Sequence, residues 1–516
     1  MAKLYEYQGK ELLKKAGIAI PQGEVAKSKE EAKKIAERLN RSVVIKAQAW
    51  VTGRARAGGI LFADNPADAE VLAGQVLGLD IKGFSVTELL IEEKLDISRE
   101  FYLGMVIDDV SRSPLLIFSA SGGTGIEDTA RAHGEKVAKI PVDVSRGLSG
   151  HQARNLLRKL EIRGSLQNQL TDLLVKFFQV CANNEARSAE INPLVLTKEG
   201  RIIAADCHMV IDDYAVFRHP ELGIAVAREF DRPPTELEKI AYQVEAKDHR
   251  GTFYFLQMAK AFEPGSGFIG FHGAGGGGAM MSMDALLKCG FKIANYCDTS
   301  GNPSASKVYR AAKIILSQRH IDGYFASGSG VASQEQFHSA RGLVKAFREV
   351  NLSIPAVIRI GGNSEEQAIQ ILETCTRDLT GKMEAYGRDT SAAFCAARLK
   401  ELMKQGEPSS LPRPSTPRKR PILPTYEFET LTGILSVDYE KCRECTEKPC
   451  VDSCRPAILK FEKESPVLAI SREEAKRGKC TECLACELAC EFQGNGAIFI
   501  DLPIPGLDNI QREGAA

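Results

Sequence analysis

From Tyr7 to Lys15 apolar and polar residues recur at helical spacing. Ser42-Val43-Val44-Ile45 is a short apolar run that reads as a buried strand ending at Lys46. Further strands are expected near 88–92 and 100–107, so residues 1–235 read as mixed α and β. Between 265 and 375 the alternation is more regular. Gly267–Phe271 reads as a strand, followed by a glycine run and a helix through Met283 and Leu287. Phe291–Cys297 is the next strand and Lys307–Gln318 the next helix, and Asp322–Ala326 and Pro355–Ile360 repeat the theme. Strand–helix alternation of this kind predicts a parallel sheet covered on both faces, over residues 236–402.

At 516 residues the chain is too long for one core. Five prolines between Pro408 and Pro421 exclude helix and predict an extended linker, placed at 403–430. A separate module is expected over 431–516. Hydrophobic content of 44% and zero formal charge give no bulk-charge reason for a nucleic-acid or membrane partner. The N-terminus lacks an apolar signal core and no run of about 18 apolar residues occurs, so a cytoplasmic protein is expected.

Of the 14 cysteines, eight lie between Cys442 and Cys490. The other six (Cys181, Cys207, Cys289, Cys297, Cys375, Cys395) sit singly in apolar sequence, as small core residues do. The clustered eight form two groups, Cys442-x2-Cys445-x4-Cys450-x3-Cys454 and Cys480-x2-Cys483-x2-Cys486-x3-Cys490. Thiolates this close can converge on [4Fe–4S] clusters, four to each. In bacterial ferredoxins the fourth cysteine of each run serves the other cluster. Applied here, one cluster takes Cys442, Cys445, Cys450 and Cys490, and the other takes Cys454, Cys480, Cys483 and Cys486. Two four-cysteine zinc sites are the alternative, but the triple spacing of the second run spreads poorly over one tetrahedron. The wider gap before Cys450 resembles ferredoxin-like electron-transfer subunits, and Pro456 stands one residue late.

Lys46 at a strand end followed by Gly53-Arg54-Ala55-Arg56-Ala57-Gly58-Gly59 can neutralise phosphate and let backbone N–H groups approach an anion. Such basic glycine turns also occur without ligands. Lys198-Glu199-Gly200 reads as a three-residue hairpin turn. Counting outward from it puts Asn192 opposite Asp206, with Glu190 on the same face. An amide oxygen beside a carboxylate suits Mg²⁺, and a polar hairpin face is the alternative. Two glycine loops follow strands of the parallel region: His272-Gly273-Ala274-Gly275 and Gly328-Ser329-Gly330-Val331, the latter expected to lead into a helix near Gln334. Both belong at the carboxyl edge of the sheet, where N–H groups and helix N-termini receive anions. Tight strand–helix packing through small residues is the alternative.

The stretches Glu6–Ile18, Val44-Ile45-Lys46-Ala47-Gln48, Gly53–Gly59 and Glu190–Val195 resemble, in order and spacing, the β subunit of succinyl-CoA synthetase over roughly residues 1–400. The resemblance implies an ATP-grasp fold, a flavodoxin-like ligase domain, and then the ferredoxin-like module. It implies that Lys46, Gly53, Arg54, Ala55, Glu92 and Glu100 hold ATP/ADP or GTP/GDP, and that Asn192 and Asp206 hold Mg²⁺. It further implies that Glu190 contacts a phosphohistidine supplied by a CoA-binding α-like partner subunit, which visits the loop at Gly330 and Val331. His272, Gly273, Gly328 and Ser329 would contact a carboxylic acid. An NDP-forming acyl-CoA ligase subunit, active only with its partner, is the implied activity. The iron–sulfur module would join it to a redox enzyme. An electron-transfer subunit built on a synthetase-like scaffold is the rival. Thr52, Ala55 and Arg56 depart from the family pattern in the nucleotide loop, and His272, Gly328-Ser329-Gly330 and Asp298–Asn302 depart from it around the acid, which points away from succinate as the acid.

Overall fold

A computed structural model describes residues 2–51, 53–122, 136–228, 232–246, 252–259, 262–328, 332–404, 420, 425–463 and 465–513. The chain divides into two compact units, Met1–Pro234 and Thr235–Ala516.

Among its described residues the first unit holds two large antiparallel sheets and a two-stranded antiparallel pair, Asp80–Ile81 with Phe84–Ser85. The smaller runs in the order Gly23–Ala26, Leu89–Glu93, Val43–Ala47, Ile60–Ala63. Every residue of Val43–Ala47 is buried, the apolar four by their pattern and Lys46 with carboxylate partners, Glu6 and Glu92. Helices Lys29–Leu39 and Pro66–Val76 cover it. Ser28 and Asn65 cap them by accepting from the N–H groups of Glu31 and Asp68, and Ala32, Ile35 and Ala36 form the buried stripe of the first. The larger sheet runs in the order Ala2–Lys3, His208–Ile211, Ala186–Thr197, Ile97–Asp108, Ser113–Ser119, Val137–Pro141, and Ile202–Ala204 also pairs with Ala186–Thr197. Helix Glu6–Lys15 packs beside His208–Ile211. Gly9 permits this approach, because a Cβ there would lie 2.7 Å from Cys207 Sγ.

The second unit is built on a six-stranded sheet in the order Tyr254–Gln257, Lys292–Asp298, Phe268–Ala274, Gly323–Gly328, Ala356–Arg359, Met383–Tyr386. All pairs are parallel except that of the first strand with Lys292–Asp298. Helices Gly276–Lys288 and Ala392–Lys404 pack in one apolar cluster, and Ala305–Leu316, Phe337–Val350 and Glu365–Cys375 in another. The strand order reverses between Phe268–Ala274 and Gly323–Gly328, which is where open parallel sheets receive ligands.

Residues after 425 form a three-stranded antiparallel sheet (Tyr426–Glu429, Ile434–Val437, Ile498–Asp501), a hairpin (Leu459–Glu462, Ser465–Leu468) and short helices. Tyr426–Glu429 falls within the stretch expected as linker, most of which lies outside the described residues. One apolar cluster runs continuously from Leu237 to Leu507, so this cysteine-bearing part shares its core with the parallel-sheet domain. Among the described residues no helix is long and apolar enough to cross a membrane.

Candidate functional site

The hairpin register follows from its turn. Thr197 N–H donates to the Arg201 carbonyl at 2.9 Å, and Leu196 pairs with Ile202, Val195 with Ile203 and Leu194 with Ala204. Ala205 N–H still reaches the Pro193 carbonyl at 3.2 Å, so the next facing pair is Asn192 with Asp206. Glu190 pairs with His208 one step further along the same face.

Around Asp206 the structure gathers a buried charge network. Lys46 Nζ lies 2.8 Å from both Glu6 and Glu92 and donates to the Ala205 carbonyl at 2.6 Å. Lys10 reaches the same two acids at 2.8 and 2.7 Å. Arg54 lies 2.8 Å from Glu6 and 3.1 Å from Asp206. Burial by itself would lower the Lys46 pKa, but Glu6, Glu92 and Asp206 hold it protonated well above the ordinary lysine range. Burial would raise Glu6, and Lys10, Lys46 and Arg54 hold it well below the usual carboxylate range instead. Glu92 is buried and pairs with both Lys10 and Lys46. Gly53 has φ 79°, and both Gly53 and Ala55 are exposed beside buried Arg54. Glu100 pairs with Val195 at the hairpin.

Glu6 and Lys10 were not singled out in the sequence, because an i,i+4 Glu–Lys pair ordinarily reads as a solvated helix face. Gly9 between them was the available signal: it marks the side on which the helix lies close to its neighbour. Glu190 and His208 line an open cleft of about 460 Å³ together with Trp50, Lys82, Tyr102 and Ser188.

In the second unit the first glycine loop does enter a helix, Gly276–Lys288, with Gly275 at φ 94° as its N-cap. Asp298 fixes the loop by accepting from the N–H groups of Gly275 and Ser300 at 2.9 and 2.8 Å. Gly273 admits no side chain, since a Cβ would lie 2.6 Å from the Cys297 carbonyl oxygen. The second loop differs from expectation. Ala332–Glu335 is a short strand paired in parallel with Gly362–Asn363, and this delays the helix to Phe337–Val350. Ser329, Gly330 and Val331 lie outside the described residues, as does Thr52.

His272 is buried, with Nδ1 2.6 Å from the Tyr324 hydroxyl and Nε2 3.3 Å from Thr299 Oγ1. Burial pushes its pKa down to about 4, so the ring is neutral near pH 7. It faces a cavity shared with Thr299, Ser327, Gly328, Gln336 and Arg359. Arg359 donates to the carbonyls of Gly328, Thr390 and Arg388, which ties the second loop to the neighbouring strand end.

Of the eight clustered cysteines, Cys442, Cys445 and Cys490 neighbour Cys450, and Cys454, Cys480 and Cys483 neighbour Cys486. Burial and then the neighbouring thiols Cys490, Cys442 and Cys445 push Cys450 up to about 12, and Cys490 and Cys445 likewise add to the burial of Cys442. Burial pushes Cys480 up to about 12, with Cys483 and Cys454 adding to it. Cys454, Cys480, Cys483 and Cys486 line one cavity with Leu435, Pro456 and Ile500. Ala497 and Ile498 N–H groups point at Cys490 Sγ (3.1 and 3.4 Å), and Lys448 N–H points at Cys445 Sγ (3.3 Å). Among the described residues no group of three or more His, Cys, Asp or Glu side chains is placed to hold a metal ion.

Residues 3–196 match the family model of an ATP-grasp domain, and residues 263–400 match that described as ATP citrate lyase citrate-binding. The chain is therefore an ATP-grasp protein in its first unit. It is 36% identical over 370 residues to the GDP-forming succinate–CoA ligase subunit beta of Thermus thermophilus, covering 72% of this chain and 93% of the relative. It is 33% identical over 404 residues to the ADP-forming subunit beta of Rubrobacter xylanophilus, covering 78% and 99%. The chain belongs to the family of succinate–CoA ligase β subunits, acid–thiol ligases that need a partner α subunit. The solved ATP citrate lyase of Methanothrix soehngenii, in complex with citrate and coenzyme A, shares its fold, with TM-score 0.62 and 18% identity over 78% of this chain and 99% of that one.

Proposed function

We propose that this chain is the nucleotide- and Mg²⁺-binding β-type subunit of an NDP-forming acyl-CoA ligase. The reaction is carboxylic acid + CoA + NTP giving acyl-CoA + NDP + phosphate, by way of a phosphohistidine on an α-like partner. The observation that carries the reading is the hairpin register that sets Asn192 against Asp206 beside Lys46 and Arg54. Lys46 and Arg54 would bind nucleotide phosphates, with Gly53 and Ala55 leaving the loop open to them. Glu100 completes the nucleotide contacts. Mg²⁺ bound by Asn192 and Asp206 supplies charge neutralisation at the phosphates. Glu190 orients the visiting histidine.

In the second unit, His272, Gly273, Gly328 and Ser329 would receive the acid, and Gly330 and Val331 the phosphohistidine segment. The match of residues 263–400 to a citrate-binding family favours a polycarboxylate over succinate. Arg359 braces the loop through Gly328.

The cysteine part extends the proposal to two [4Fe–4S] clusters and a redox partner. Its support is the separation of the eight thiols into Cys442/Cys445/Cys450/Cys490 and Cys454/Cys480/Cys483/Cys486, and the backbone N–H groups aimed at Cys445 and Cys490. These sets would hold clusters that supply one-electron chemistry. Anaerobic purification should return about eight iron and eight acid-labile sulfide per chain, and a stoichiometric two zinc would sink the cluster assignment.

Titration with Mg·ADP or Mg·GDP tests the ligase reading. Saturable binding that is lost in Asp206→Asn is expected. Absence of any nucleotide binding would leave the second reading, an electron-transfer subunit on a synthetase-like scaffold, which the cysteine sets favour.

A further inference from the structure

Asp206 is one of the two groups assigned to Mg²⁺, and a cation of the protein already grips it. Arg54 Nη2 lies 3.1 and 3.2 Å from its two carboxylate oxygens. The other terminal nitrogen, Nη1, lies 2.8 Å from Glu6 and donates to the Ala47 carbonyl at 2.9 Å. Glu6 also holds Lys10 and Lys46, and Glu92 holds the same two lysines. Three carboxylates thus face three cations, and all except Asp206 have side chains no more than 10% exposed. Such a set is neutral as it stands. A divalent cation entering alone would add two positive charges to it and would have to expel Arg54 from Asp206. A cation entering with a nucleotide brings its own compensating charge, and the released guanidinium gains phosphate oxygens as partners.

We propose that Arg54, anchored by Glu6, is a latch on Asp206 that makes metal binding conditional on nucleotide. This rests on the Mg²⁺–nucleotide reading above. Glu6 and Lys10 are positioning residues. Glu6 aims Arg54 and Lys46, and Lys10 balances Glu6 and Glu92 so that neither acid draws Lys46 away from the cleft. Only Arg54 of the loop is turned inward. Its carbonyl accepts from Ala57 and Gly59, closing a tight turn, while Gly53, Ala55, Arg56, Ala57 and Gly58 stand exposed around the one buried side chain.

The probe is Mn²⁺, followed by its electron paramagnetic resonance signal on the full chain, with and without ADP. Arg54→Gln is expected to bind Mn²⁺ alone about tenfold more tightly and Mn·ADP about tenfold more weakly, the scale of one charge-assisted contact. Glu6→Gln leaves Arg54 leaning on Asp206 and weakens binding of Mn²⁺ alone. The double variant should behave as Arg54→Gln toward Mn²⁺ alone, because Glu6 acts through Arg54. If Arg54→Gln does not fold, Arg54→Lys carries the test. Lysine lacks the two separate terminal nitrogens with which Arg54 reaches Glu6 and Asp206, so its hold on Asp206 is weaker, Mn²⁺ alone should still bind more tightly than to the parent, and unchanged affinity overturns the latch. Parallel losses for Mn²⁺ and Mn·ADP in Arg54→Gln also overturn it. A parent chain that binds no Mn·ADP overturns the Mg²⁺–nucleotide reading itself, and the latch with it.

Discussion

His272 shows how much one buried ring controls. Its partners, Tyr324 and Thr299, are neutral hydroxyls, and burial alone depresses its pKa to about 4 from an ordinary 6.5. Between those values the unfolded chain binds a proton that the folded one refuses, so stability rises with pH across the window. As the pH falls from 6.5 to 4 this site should cost on the order of 3 kcal/mol. His272→Gln should remove that slope from a urea-denaturation series measured at several pH values, and an unchanged slope would place the titrating group elsewhere. From sequence His272 was readable as the head of a glycine loop and as a departure from the family pattern. Its neutrality could not be foreseen, because Tyr324 and Thr299 lie 52 and 27 residues away and come together only through the parallel sheet. Lys46, Arg54 and Asp206 were legible as separate motifs. Their union through Glu6 and Lys10 was not, because the pattern of a single helix does not say which charged face will be buried.

The elements follow the hydrophobic pattern closely where one period dominates. The strand through Lys46 and the 268–274 strand follow short apolar runs, and the Asn192–Asp206 register follows from one three-residue turn. The helix after the second glycine loop starts later than its sequence indicates, at Phe337, because Ala332–Glu335 finds a strand partner in Gly362–Asn363. That pairing is nonlocal and leaves no local signature. The same helix carries a sharper constraint at Gly342. A Cβ there would sit 2.4 Å from the Ala305 carbonyl oxygen and 3.0 Å from Tyr309 N, so the backbone of helix Ala305–Leu316 lies against it. Alanine is the better helix former by about 1 kcal/mol, yet Gly342→Ala must push two helices apart. A net loss of roughly 1–3 kcal/mol is expected in thermal denaturation, and a gain would mean the helices separate freely.

At the scale of the whole molecule, the proline-rich stretch gives the impression of a tethered module, and the packing contradicts it. Phe428, Leu435, Cys450, Cys486 and Ile500 belong to the same apolar cluster as Tyr309, Val344 and Phe347. Across this joint Lys345 Nζ meets Glu487 at 2.8 Å with both side chains almost wholly enclosed, and lies 4.3 Å from the Phe499 ring centroid. Arg348 meets Glu491 at 2.7 Å, and Arg310 donates to the carbonyls of Thr432 and Pro503. Glu487 sits between Cys486 and Cys490, one from each thiol set, on the helix Ala485–Gln493. A buried ion pair adds little net stability over an apolar pair of similar size, but it fixes register, because breaking it strands a charge. Two outcomes follow for the Thr235–Ala516 unit. Lys345→Met alone should lower its stability by about 3–5 kcal/mol, because Glu487 is left buried with its charge uncompensated. The double variant Lys345→Met/Glu487→Leu should recover part of that loss, the remainder reflecting Glu349, which Lys345 also meets at 2.9 Å and which keeps Lys313 at 3.4 Å. A freely tethered module predicts the reverse pattern: the single substitution would change almost nothing and the double would show no coupling. The denaturation midpoints of the three proteins therefore decide whether the cysteine-bearing part is an appendage or a wall of the ligase domain.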